Sequence, residues 1–158
     1  MEVRKLKNID VGESVIGIER YLRKTDHIIR KKGREILKDF NITGPQFIAL
    51  QWLISDGDLT IGELSQKMKL ACSTITDLID RMEKNELVVR TKDKKDKRVV
   101  RIQVLKKGHD VVDKVLDKRR LFLSDKLRNF KEEDKTFLMK SLESLYLAMK
   151  GDNQTEEE

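Results

Sequence analysis

The stretch that decides the fold is Thr60 to Val104, TIGELSQKMKLACSTITDLIDRMEKNELVVRTKDKKDKRVVRIQV. It contains two kinds of hydrophobic spacing and one abrupt change between them. Thr60-Ile61-Gly62-Glu63 matches a capping box, with threonine at the cap and glutamate three residues on, and it opens a short helix through Met68. From Cys72 to Asn85, Ile75, Leu78, Ile79 and Met82 follow the i, i+3, i+4, i+7 spacing of a helix with one buried stripe. Ser73, Thr74, Thr76, Asp77, Arg81 and Lys84 lie off that stripe. After Asn85 the period falls to two. Leu87-Val88-Val89 reads as one strand, and Val100, Ile102 and Val104 alternate with Arg101 and Gln103 as a second. Between them Lys92-Asp93-Lys94-Lys95-Asp96-Lys97-Arg98 is charged throughout and reads as an exposed hairpin tip.

Outward from this stretch the chain is helical. Residues 13–39 read as a long helix with Val15, Ile18, Leu22, Ile29, Ile36 and Phe40 near one stripe. Thr43-Gly44-Pro45 is a start signal, a cap followed by proline in the first turn, and Phe47, Leu50, Leu53 and Ile54 have inward spacing behind it. Asp56-Gly57-Asp58 ends that helix. Beyond Gly108, Val111, Val115, Leu116, Phe122, Leu123 and Leu127 supply one apolar face. A last helix, about 131–150, carries Leu138, Leu142, Leu145 and Met149 at coiled-coil spacing. The long first helix and the last two have more apolar surface than a compact three-helix core hides, which predicts a homodimer.

Composition agrees with a mainly α fold. The 158 residues are 39% charged and include one proline and eight glycines, against roughly 25% charged for an average domain. No apolar run approaches the ~20 residues of a membrane span, and the N-terminus lacks a signal-peptide core. The single cysteine fits a reducing compartment, so a cytoplasmic protein with no membrane partner is expected. The net charge of +6 is wholly matched by the segment Glu86 to Lys107, with nine basic and three acidic residues. A focused basic segment suggests a polyanion partner; a solvated loop is the alternative.

Helix, short helix, amphipathic helix and basic-tipped hairpin is the order of a winged helix-turn-helix. A recognition helix buries one side and offers short polar side chains near its N-terminus to base edges in the major groove. A basic hairpin tip suits a narrow minor groove, whose negative potential attracts arginine. At this point the sequence resembles the MarR family. Leu64 to Leu87, LSQKMKLACSTITDLIDRMEKNEL, is similar to that family's helix-turn-helix, and Asp93 to Arg98, DKKDKR, to its D-x-R-D-x-R wing, with Lys95 where arginine is usual.

The resemblance implies a dimerisation helix over 1–40, a DNA-binding domain over 41–107, dimerisation helices over 108–150, and an acidic tail, read as disordered, over 151–158. It also implies site residues. Arg98 would enter the minor groove, braced by Asp96; Ser73, Thr74 and Thr76, with Asp77 beside them, would face bases; Arg81 would reach the backbone; Thr43 and Gln46 would touch phosphate. Lys95 is read as a non-specific phosphate contact, since an ammonium lacks the guanidinium fork. The implied activity is that of a transcriptional regulator, a repressor acting on a palindromic double-stranded operator and released by a small aromatic or acidic effector. The alternatives are a DNA-packaging winged-helix protein without effector and, more distantly, an RNA-binding adaptor, which the lack of aromatics in the basic segment disfavours. No catalytic constellation is legible: there is no Gly-rich phosphate loop and no nucleophile with a base nearby, so no enzyme and no cofactor are expected. His27 and His109 are isolated, which argues against a zinc site. Cys72, beside the recognition helix, is read as a filler rather than a redox switch.

Overall fold

A computed structural model of the protein describes residues 11–152. Six helices and one hairpin follow in the order α1 (Glu13–Asp39), α2 (Gly44–Asp56), α3 (Ile61–Met68), α4 (Cys72–Lys84), β1 (Val88–Lys92), β2 (Val100–Val104), α5 (Lys106–Lys126) and α6 (Glu132–Asp152). The chain divides into two compact units after Arg119, within α5. The predicted acidic tail is helical at Gly151 and Asp152, because α6 continues that far; residues 153–158 lie outside the described residues, as do residues 1–10.

In the first unit two helix starts and three helix ends have a plain local cause. Thr43 and Thr60 each close a full capping box. The Thr60 hydroxyl accepts from the Glu63 N–H at 3.1 Å, while Glu63 Oε2 accepts from the Thr60 N–H at 2.8 Å. Three helices end the same way. Asn41, Lys69 and Glu86 take left-handed backbone with φ of 54°, 52° and 60°. The N–H groups of Ile42, Leu70 and Leu87, each one residue on, donate back to the carbonyls of Leu37, Ser65 and Met82. This is the Schellman closure, made here without glycine.

The core of this unit is one cluster to which every element contributes. Ile36 and Leu37 come from α1, Phe47, Ala49, Leu50 and Leu53 from α2, and Leu64 from α3. Ile75, Ile79 and Met82 of α4 are fully buried, as are Val88, Ile102 and Val115. Leu78, on the same predicted stripe, is half-buried. Ile54 departs from its predicted inward place: it is 39% exposed, whereas Leu50 and Leu53 fill the core.

The hairpin pairs Val88 with Val104, Arg90 with Ile102 and Lys92 with Val100 in antiparallel register. A single bridge adds Leu59 as a third edge, with the Ile102 N–H donating to its carbonyl at 2.8 Å. The first strand was expected at 87–89 and instead runs to Lys92. Leu87 belongs to the closure of α4, and the charged residues beyond Val89 keep their ladder bonds to β2. The helix expected from Gly108 begins at Lys106.

The second unit consists of the end of α5, a turn in which the Phe130 N–H donates to the Leu127 carbonyl, and α6. Glu132, Glu133 and Asp134 in the first turn of α6 complement its dipole. The predicted seam lies on this helix uncovered: Leu138, Leu142 and Met149 are 39%, 48% and 54% exposed.

Candidate nucleic-acid interface

Two adjacent features of the first unit present polar and cationic groups outward. One is the outer face of α4. Its buried stripe of Ile75, Ile79 and Met82 fixes the rotation of the helix, so Ser73, Thr74, Thr76, Asp77 and Arg81 all emerge on the exposed side. At 1.5 Å per residue, Ser73 and Arg81 stand about 12 Å apart along the axis. The Thr76 hydroxyl donates to the Cys72 carbonyl at 2.9 Å, which fixes its rotamer and leaves its lone pairs outward. Cys72 itself is exposed in the first turn.

The other is the hairpin tip between Asp93 and Val99. The Arg98 side chain is 91% exposed, and Asp96 holds it at the root. Asp96 Oδ1 accepts from the Arg98 backbone N–H at 3.0 Å and from its Nε at 3.2 Å. That hydrogen bond to Arg98, with the backbone bond second, keeps the Asp96 carboxyl below its usual range. Lys95 is exposed, and among the described residues it makes no ion pair.

The pair assigned to phosphate is placed differently. Thr43 is exposed at the mouth of a shallow pocket that Arg34, Lys38 and Asn41 also line. Gln46 is only 6% exposed, and its Oε1 accepts the Thr43 N–H at 3.0 Å. The side-chain oxygen of Gln46 is thus engaged in closing the start of α2, which leaves its amide N–H groups for the phosphate contact expected of it.

Several functional ties were not legible as such in the sequence. Arg90, the third residue of the strand, meets Glu83 Oε2 at 2.6 Å and Asp80 Oδ1 at 2.5 Å, joining the wing to α4. Arg101 on the other strand meets Asp93, Glu63 and the Asp58 carbonyl. Hydrogen bonding from Arg101, then from the backbone N–H groups of Asp96 and Lys95, lowers the Asp93 carboxyl to about 2. Of these partners only Asp93 lies within the basic segment itself.

No group of three His, Cys, Asp or Glu side chains able to hold a metal occurs among the described residues. No described helix is long and apolar enough to cross a membrane.

Comparison with known proteins gives this arrangement a lineage. The MarR family model matches residues 42–100, which span α2 through the wing. The chain is 54% identical over 138 residues to YsmB of Bacillus subtilis, described as an uncharacterized HTH-type transcriptional regulator, with 87% of this chain and 94% of that protein covered. Among solved structures it resembles a MarR family protein from Bacillus stearothermophilus, with TM-score 0.78 and 46% identity over 87% of this chain and 96% of the other. A mutant of MepR from S. aureus, bound to an oligodeoxyribonucleotide, shares the fold at TM-score 0.67 and 19% identity, covering 84% of this chain and 97% of that one. With the buried stripe of α4 turned inward, its polar face outward and a relative alike over nearly its whole length, the chain belongs to the MarR family of DNA-binding transcriptional regulators.

Proposed function

We propose that the protein is a homodimeric repressor that recognises a palindromic operator in double-stranded DNA and is released by a small effector. The observation that carries the DNA reading is the pairing of two exposed readers on one unit: the hydroxyl-rich first half of α4 and the braced, solvent-projected Arg98. In this reading Ser73, Thr74 and Thr76 face base edges with Asp77 beside them, while Arg98 enters the adjacent minor groove. Arg81, Lys95 and Thr43 meet phosphates. The DNA reading is supported by a mutant of MepR from S. aureus, which has this fold and was solved bound to an oligodeoxyribonucleotide.

Dimerisation is supported by apolar surface that a single chain leaves in water. Val15, Ile18, Leu22 and Ile29 of α1 are 38–53% exposed, and α6 exposes its seam along with Phe137 and Tyr146. Burying such stripes against a second copy gives each chain a two-fold partner, and a two-fold protein reads a palindrome. The effector reading is supported by an apolar groove of about 540 Å³ between α2 and α5, lined by Ile48, Trp52, Ile54, Val112 and Leu116 with Gln51 and Ser55 at its polar edge. That size and lining suit a small aromatic molecule.

Binding titrations against DNA upstream of the gene and against a scrambled duplex test the reading. If a dimer neutralises about six to ten phosphates, log affinity falls against log salt with a slope of roughly −5 to −9. Equal affinity for both duplexes at every salt concentration would assign the protein to DNA packaging instead.

A further inference from the structure

A two-stranded hairpin is only marginally rigid by itself, so the position of Arg98 depends on what holds the wing. On the β2 side that is Arg101. Its Nε donates to Asp93 Oδ2 at 2.5 Å, and its Nη1 donates to the Asp58 carbonyl at 2.9 Å and lies 3.4 Å from Glu63 Oε2. Asp58 and Glu63 flank the start of α3, where Glu63 is already engaged in the Thr60 capping box. Asp93 uses its other oxygen on the turn: Oδ1 accepts from the N–H of Lys95 at 2.8 Å and of Asp96 at 3.0 Å. Asp96 then holds Arg98. One unbroken run of polar contacts therefore leads from the start of α3 through Arg101 and Asp93 to the wing turn and Arg98.

We propose that Arg101 is a positioning residue for DNA binding: it sets the angle of the wing, and thereby where Arg98 meets the duplex, without touching DNA itself. This rests on the reading of Arg98 as a DNA contact. Arg101 is placed for the first role and badly placed for the second. Its side chain is 33% exposed, against 91% for Arg98, and its donors already serve a carbonyl and two carboxylates. Only Nη2 remains for a phosphate unless those acceptors are displaced. The role also needs arginine specifically, because the planar fork addresses three acceptors in fixed directions and an ammonium cannot. It is separable from core packing, since the neighbouring Ile102 supplies the buried side of β2.

A double-mutant cycle on the full-length protein tests the proposal. Wild type, Arg101→Gln, Arg98→Ala and the double variant are titrated against operator and scrambled duplexes over a range of salt, after circular dichroism and thermal unfolding have confirmed that each is folded. Arg101→Gln is expected to weaken operator binding about five- to ten-fold, the lower part of the range for a lost specific contact. Scrambled-duplex binding should change by less than about two-fold, with the salt slope unchanged. In the Arg98→Ala background the same change should cost less than two-fold, because Arg101 acts through Arg98. Arg101→Lys, which keeps the charge and the stem, should lose operator preference as Arg101→Gln does; this keeps the test open should the glutamine variant fold poorly. A salt slope shortened by about one unit would make Arg101 a phosphate contact and overturn the proposal. Fully additive losses, or a lysine variant with wild-type operator affinity, would overturn it as well. If Arg98→Ala itself leaves operator binding intact, the reading of Arg98 falls and this proposal falls with it, whereas additive losses overturn this proposal alone.

Discussion

Replacing Gly108 with alanine sets two opposing effects of known size against each other at the junction of wing and α5. A Cβ at Gly108 would stand 2.4 Å from the Leu87 carbonyl oxygen, 2.7 Å from Val104 Cγ1 and 3.2 Å from Leu50 Cδ2. The leucine side chain can give way, but the carbonyl cannot. Leu87 O accepts the Leu105 N–H at 2.9 Å, and the Leu87 N–H closes α4 on Met82 at 3.0 Å. Moving the Leu87 backbone out of the way strains both bonds. Alanine gains about 1 kcal/mol in helix propensity. Against that, overpacking costs ~1–3 kcal/mol and a weakened backbone hydrogen bond ~1 kcal/mol more. Gly108→Ala is thus expected to destabilise by about 1–3 kcal/mol, lowering Tm by roughly 3–10 °C in a chain of this length. Gly62→Ala is the matched control, because its Cβ would meet only Thr60 Oγ1, at 3.9 Å, and it should be neutral or stabilising by up to ~1 kcal/mol. Thermal unfolding followed by far-UV circular dichroism, with all proteins at one concentration, reads both. A Tm for Gly108→Ala at or above that of wild type would refute the reasoning.

Two further outcomes follow from the interface. Arg98→Ala should weaken the operator complex by ~1–3 kcal/mol and flatten its preference for flanking A·T pairs, while Lys95→Ala should weaken all DNA evenly and shorten the salt slope by about one unit; equal loss on operator and scrambled duplexes for Arg98→Ala would reduce the wing to an electrostatic arm. The full-length protein should sediment as a dimer at micromolar concentration and a chain ending before Lys131 should dissociate; a monomeric full-length protein would sink the dimer.

What was legible in the sequence is whatever is decided by near neighbours along the chain. The Thr60–Glu63 box and the α4 stripe involve residues no more than seven apart, and both are where the spacing put them. Thr43 and Gln46 show the same logic: threonine followed three residues later by glutamine is a capping pattern, and the structure closes it as a full capping box. The extent of β1 was not legible, because Arg90 reads as a solvated charge until Asp80 and Glu83, ten and seven residues earlier, come round one turn of α4 to meet it. The helix ends at Asn41, Lys69 and Glu86 carry no glycine signal. Ile42 and Leu87 explain two of them, since each turns inward just past the end and its burial offsets the left-handed backbone before it.

The charge of the wing shows how far a composition count departs from a contact count. Of the nine basic residues between Glu86 and Lys107, Arg90 and Arg101 are tied to carboxylates inside the unit. Lys106 faces Asp110 at 2.8 Å, and Lys107 is 3.9 Å from Glu86. That leaves Lys92, Lys94, Lys95, Lys97 and the braced Arg98 directed outward. Two such wings in a dimer would present ten cations, and at roughly −0.9 per phosphate neutralised they could produce a slope of at most about −9 from the wings alone. Arg81 on α4, read as a phosphate contact, would add to that limit rather than share it. A measured slope near −5 would then mean that about half of the outward wing cations remain hydrated in the complex. The two internal arginines contribute nothing to that slope directly. Their effect is on where the other five are held, and it should therefore be seen in sequence preference rather than in salt dependence.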